Sequence, residues 1–300
     1  MLNGQVGQLL RHPAPIGTTE EQTDAQLLKR FASHHDQGAF AVLVKRHGPM
    51  VLAVCRRVLR DSHDADDAFQ ATFMVLVRKA GSLTRPELVG NWLYGVAYRV
   101  AVKARGNAAR RSEYERRSPV IAPVDPMLEV TGRELRSVLD AEMSHLPEKY
   151  RSPLILCYLE GKTNEEAARL LGWPTGSMSG RLARGRELLR KRLLRKGLTL
   201  SAGIFAMLLS KSSAAAAVPD TLCDCTIRGA VFFARAAPGA ASAAVSPSVA
   251  ALAEEVLEAL RLSALRKKLS VWIALLIVAL IGLSAVGVAY AAYNRGSGCA

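Results

Sequence analysis

From Asp24 onward, apolar residues recur at intervals of three and four, as in Leu27, Leu28 and Phe31 and again in Phe40, Leu43 and Val44. That spacing marks one buried face of an α-helix. Strand-like alternation is nearly absent, so the pattern predicts an all-α chain. The first helical run reaches about Arg111, Ser112 to Pro126 gathers Ser, Pro and charges as a linker does, and a second block runs from Arg133 to Lys196. The expected organisation is a flexible leader over 1–23, a helical domain over 24–111, a linker over 112–132 and a second small helical domain over 133–197. An Ala-rich tether with short helices over 198–268, a transmembrane helix over 269–293 and a short tail over 294–300 complete it.

The carboxy-terminal pattern differs in kind. Leu269 to Asn294 carries no charged residue, and about twenty helical residues suffice to cross the roughly 30 Å apolar core of a bilayer. The alternative, a buried core helix, lacks apolar elements nearby to surround it. Arg261, Arg266, Lys267 and Lys268 precede the stretch and Arg295 follows it, so the positive-inside rule puts the amino-terminal bulk in the cytoplasm. Leu198 to Ser210 is also apolar but too short to span alone, and extending it to Ala217 would bury Lys211. It reads as interfacial or packed; insertion would instead move Cys223 and Cys225 outside.

Charge and composition narrow the function. The net charge of +14 favours an anionic partner, either nucleic acid or a lipid surface. Met1 to Glu20 lacks the basic start and apolar core of a secretory signal, and the five cysteines are not in paired C-x-x-C sets, which suits reduced thiols. There is no phosphate-binding Walker loop, no H-E-x-x-H and no His/Cys cluster at ligand spacing. No catalytic residue, metal site or cofactor is therefore expected, and the chain does not read as an enzyme.

Thr163-Asn164-Glu165-Glu166 fits a capping box and starts a helix that stops at Gly172-Trp173-Pro174. A second helix restarts around Thr175 to Ser177 and carries Arg181, Arg184, Arg186, Arg190, Lys191, Arg192, Arg195 and Lys196. Two short helices around a tight turn, the second one basic, describe a helix-turn-helix suited to a major groove. Ser177, Ser179 and Arg181 begin the second helix and are the base-edge candidates, whereas Arg184, Arg186 and later cations suit phosphates. A solvated basic face or a juxtamembrane lipid contact would explain the cations but not the capped helix and turn.

Two segments of the first block carry further chemistry. Asp61, Asp64, Asp66 and Asp67 precede an apolar helix with Phe69, Phe73, Met74 and Leu76; carboxylates at a helix start interact well with its dipole, so they have a structural reading as well as a binding one. Farther on, Asn91, Trp92, Tyr94, Tyr98, Arg99 and Lys103 interleave aromatics and polar groups with cations. Aromatic faces stack on unpaired bases while cations hold the backbone, although the same residues suit an ordinary packed helix.

Leu146-Pro147-Glu148-Lys149-Tyr150-Arg151, the apolar run to Gly161 and the following T-N-E-E-A-A-R-L-L-G-W-P-T-G-S-M-S-G-R-L-A-R-G-R resemble domain 4 of extracytoplasmic-function sigma factors. The resemblance implies a minus-thirty-five reader using Ser177, Ser179, Arg181, Arg184 and Arg186. Here Ser179 stands where many members have Lys, and Gly180 and Gly185 interrupt the helix. D-A-D-D-A-F-Q-A-T-F is similar to the helix with which sigma domain 2 grips the polymerase clamp, which implies that Asp64, Asp67 and Gln70 contact polymerase. N-W-L-Y-G-V-A-Y-R resembles the minus-ten and melting segment, with Arg99 where Asn is common, and implies roles for Asn91, Trp92, Tyr94, Tyr98, Arg99 and Lys103. The Gly81 to Gly90 loop is by the same resemblance where a flipped base is captured.

The partners implied are core RNA polymerase, promoter DNA, the cytoplasmic membrane through the carboxy-terminal helix, and an anti-sigma or envelope-sensor protein. The rival reading is a membrane-tethered helix-turn-helix regulator that never joins polymerase; such a protein has no need of the acidic D-A-D-D helix. A membrane-surface adaptor would use the cations but not the helix-turn-helix geometry.

Overall fold

The computed structural model of the protein describes residues 22–115, 127–198, 217–235 and 245–296. The amino-terminal leader to residue 21, most of the linker and the apolar stretch 199–210 lie outside the described residues. Among the described residues every regular element is helical. The chain divides into two compact units, residues 1–254 and 255–300.

Helix α1 (Asp24–His34) starts on a capping box between Thr23 and Gln26 and ends on His35, whose φ of 53° closes the last turn in the left-handed region. Helices α2 (Gln37–Val58) and α3 (Ser62–Lys79) each start on an aspartate, Asp36 and Asp61, that accepts a hydrogen bond from a backbone amide of the first turn. Two single 3-10 turns at Ala80–Ser82 and Pro86–Leu88 then lead into α4 (Val89–Glu115). Phe31, Phe40, Phe69 and Phe73 form one buried aromatic cluster joining α1, α2 and α3, with neighbouring ring centres 4.5 to 6.1 Å apart. Among the described residues α2 is the one helix whose length and hydropathy would suit a membrane span. Its apolar character has another cause here: it is packed by α1, α3 and α4 and is mostly buried.

The second block is α5 (Met127–Ser144), α6 (Glu148–Leu154) with a wide turn at Ile155–Leu159, α7 (Asn164–Leu171) and α8 (Thr175–Arg195). Helix extends into the expected 112–132 linker from both ends: α4 runs to Glu115 and α5 starts at Met127. Beyond the block, α9 (Asp220–Arg235) packs on α2 and α3. The last helix, α10 (Pro247–Gly296), is continuous in backbone through the expected span, with side chains from 278 onward outside the described set.

The two blocks pack together within the first unit. Arg57 of α2 reaches Asp140 of α5, its Nε donating at 2.5 Å and its Nη2 at 3.1 Å, and the Tyr94 hydroxyl donates to the same carboxylate at 2.9 Å. Burial alone would lower the Arg57 guanidinium, but Asp140 outweighs it and holds the group above its ordinary value. Tyr94 is pushed well above its ordinary value, first by burial and then by the neighbouring Asp140 charge.

Candidate nucleic-acid interface

The helix-turn-helix forms where its local signals put it. Thr163 accepts from the Glu166 amide at 3.2 Å while Glu166 accepts from the Thr163 amide at 2.8 Å, so two amides that the helix cannot satisfy internally are both paired. Gly172 ends α7 with φ 67°, a left-handed turn for which glycine carries no Cβ penalty. Leu156, Ala167, Ala168, Leu171 and Met178 bury the inner faces of the wide turn, α7 and α8, with Leu170 and Trp173 packed at the edge.

At the start of α8, Ser177 donates its hydroxyl to the Pro174 carbonyl at 2.9 Å, and Ser179 is exposed. The Arg181 guanidinium lies 3.9 Å over the Trp173 ring, a cation–π contact that limits its rotamers and aims it from the turn. Arg184 is exposed, and Arg186 donates to the Tyr158 hydroxyl at 3.3 Å. All five candidate residues thus share one helix and the surface around its first three turns. Gly185 has a packing reason: a Cβ there would stand 3.0 Å from the Tyr150 carbonyl oxygen and 3.4 Å from Leu154, so α8 closes on α6 through it. A Cβ at Gly180 would meet nothing within 4 Å.

On α4 the six melting candidates separate onto two faces. Asn91, Tyr94 and Tyr98 follow one stripe; Trp92, Arg99 and Lys103 follow another, roughly 130° around the helix. The first stripe faces inward: Tyr94 is fully buried on Asp140, Tyr98 is half-buried, and both amide atoms of Asn91 are buried without a hydrogen-bond partner. On the second stripe Trp92 and Lys103 are half-buried and Arg99 is exposed. The turn before α4 is engaged as well, because Arg85 donates to the Leu170 and Leu171 carbonyls at 3.2 Å each, and Leu88 joins the helix-turn-helix core. A cation on the last carbonyls of α7 is matched to that end of its dipole.

On α3, Asp64, Asp67 and Gln70 lie along one side and are half-buried, whereas Phe69, Phe73 and Leu76 are fully buried. Asp64 accepts from Arg111 at 3.0 Å, and Asp67 accepts from the Ser248 hydroxyl at 2.7 Å. Sequence reasoning did not find Arg57, Arg85 or Asp140. Each works across the chain, as Arg57 and Asp140 do 83 positions apart, and no local pattern signals such a pair. Among the described residues no group of three His, Cys, Asp or Glu side chains could hold a metal, and Cys55, Cys157, Cys223 and Cys225 are free thiols. Burial pushes the Cys55 thiol up to about 12.

Comparison with known proteins agrees with this architecture. Residues 43–111 match the family described as Sigma-70 region 2, and residues 136–189 match Sigma-70, region 4. The chain is 30% identical over 179 residues to the ECF RNA polymerase sigma factor SigM of Mycobacterium tuberculosis, which covers 59% of this chain and 88% of that protein. It is 28% identical to the ECF RNA polymerase sigma factor SigW of Bacillus subtilis, over 53% of this chain and 90% of that one. Among solved structures, the sigma factor RpoE in complex with the anti-sigma factor NepR from Bartonella quintana aligns at 19% identity with a TM-score of 0.24, covering 49% of this chain and 91% of the other. The two family matches and the sequence relatives define a helical transcription-initiation protein with regions 2 and 4. The chain belongs to the extracytoplasmic-function RNA polymerase sigma factors.

Proposed function

We propose that this sigma factor docks on core RNA polymerase through the polar side of α3, reads upstream promoter DNA with α8, and stabilises melted bases with α4. The observation that carries the reading is the combination, in one chain, of an acidic α3 face with a capped, basic helix-turn-helix. Asp64, Asp67 and Gln70 offer charge-assisted contacts to a basic partner. Ser177, Ser179 and Arg181 face base edges, and Arg184 and Arg186 neutralise phosphates. Trp92, Arg99 and Lys103 form the outward stripe for unpaired bases; Asn91, Tyr94 and Tyr98 join them when the contact between α4 and α5 opens. The functional bodies are residues 24–111 and 133–197, with 112–132 between them.

We further propose a membrane role for α10. Over 269–294 it has no charge and would extend about 39 Å at 1.5 Å per residue. Leu269, Trp272, Ile273, Leu276 and Ile277 are exposed apolar side chains there, a surface suited to lipid. The cations just before it favour the cytoplasmic side, so the DNA-binding domains are held beneath the membrane, within reach of an envelope sensor or anti-sigma protein. Membrane fractionation of the intact protein tests this: recovery with the membranes, released by detergent but not by salt, is expected, and a fully soluble protein would rule it out.

The docking assignment is tested by Asp64→Lys with Asp67→Lys in the full chain. Capture of core polymerase is expected to be lost while duplex promoter binding persists. Retained capture by the folded variant would exclude the α3 assignment.

A further inference from the structure

Residues 218–235 and 245–254 lie beyond the region-4 match, which ends at residue 189, yet they are not loosely attached. Leu222, Thr226, Ile227, Gly229, Ala230 and Phe233 recur every three or four positions and are buried on the inner face of α9. The receiving surface belongs to α2 and α3. At one end, a Cβ on Gly48 of α2 would stand 3.2 Å from Val218 Cγ2. At the other, Arg78 of α3 lies 4.4 Å over the Phe233 ring and its Nε is 3.9 Å from Glu254. Ser248 at the start of α10 donates to Asp67, on the side of α3 assigned to polymerase.

We propose that α9 with Val218 before it, together with residues 245–254, is a cover built into the chain, one that occupies the α2–α3 surface and excludes core polymerase until it is displaced. The inference rests on the docking role of α3 given above. The apolar stripe of α9 supplies the attachment, because burying it removes a continuous hydrophobic face from water. The Ser248–Asp67 bond and the Arg78 contacts fix its register. A partner that needs the Asp67 carboxylate must break the Ser248 bond and approach a surface that the segment already fills. Polymerase and the cover are therefore alternative occupants, and the apparent affinity for polymerase scales with the uncovered fraction.

The test uses the full chain and purified core polymerase. Phe233→Glu puts a charge into the buried stripe and is expected to release α9, reported by faster alkylation of the half-buried Cys223. Polymerase should then bind at least about tenfold more tightly, the factor set by a competent fraction of roughly one tenth or less. Gly48→Cys with Val218→Cys provides the opposite arm, with the oxidised form locking the cover and dithiothreitol releasing it, so that one sample is its own folding control. Equal polymerase affinity in the locked, reduced and Phe233→Glu forms would overturn the proposal. Adding Asp64→Lys and Asp67→Lys to Phe233→Glu separates this from failure of the docking role. Loss of capture there keeps the docking role even if the cover is rejected, whereas persistent capture removes both.

Discussion

Arg57 and Asp140 form a two-point ion pair between α2 and α5, at 2.5 and 3.1 Å, with both side chains almost fully buried. Removing one partner leaves the other charged and uncompensated away from water. Asp140→Asn is therefore expected to lower stability by about 3–5 kcal/mol. Tyr94→Phe, which removes one hydrogen bond to the same carboxylate, should cost about 1.5–3 kcal/mol. Denaturant unfolding of both variants measures this, and a loss under about 1 kcal/mol for Asp140→Asn would show that the buried pair does not hold the blocks together.

Glu160, in the turn after α6, lies beside Gly90 of α4 and gives the packing of the two blocks a pH dependence. Burial, the largest influence, raises its carboxyl above the ordinary 4.5; the nearby Asp24 also raises it, while His47 and Lys162 oppose them. The folded state thus holds the proton more tightly than the unfolded chain. Its contribution is present in full below the ordinary carboxyl range and is lost as pH rises through the folded value. Thermal unfolding midpoints are expected to fall above that range, and Glu160→Gln should flatten the fall. An identical pH profile in the variant would assign the trend to other groups.

The two glycines of α8 should respond oppositely to alanine. Gly180 has open space around its missing Cβ, so Gly180→Ala is expected to stabilise the protein by about 1 kcal/mol through helix propensity. Gly185→Ala would press a methyl 3.0 Å from the Tyr150 carbonyl oxygen, and should lower the unfolding midpoint. Stabilisation by both would mean that α6 and α8 are less closely packed than the structure has them.

On DNA, Arg184→Ala should weaken promoter binding evenly across sequences and reduce the slope of log affinity against log salt by about 0.9, one phosphate contact. Arg181→Ala should alter base preference at the upstream element instead, because its guanidinium is aimed by Trp173. Competition binding over a salt series distinguishes the two, and an unchanged slope for Arg184→Ala would remove it from the phosphate-contacting set.

The parts of this fold that were legible in sequence are those specified locally. The Thr163–Glu166 box and Gly172 define α7 within ten residues, and the three-and-four spacing around Phe31 and Phe40 defines the first core. Tyr94 shows the limit: its place in an aromatic, cation-rich segment suits base stacking, but its burial depends on Asp140, 46 positions away. Docking of α9 was illegible for a related reason. An Ala-rich segment with one amphipathic face announces that the face needs covering, while the surface that covers it, around Gly48, Asp67 and Arg78, lies far back in the chain.

The most direct test of the central claim is permanganate reactivity of unpaired promoter thymines with core polymerase and the full-length protein, unaltered and as Phe233→Glu. Polymerase-dependent thymine reactivity is expected, greater for Phe233→Glu and abolished when Asp64→Lys and Asp67→Lys are added. Duplex binding by the folded protein with no polymerase capture and no opening, in either form, would contradict it.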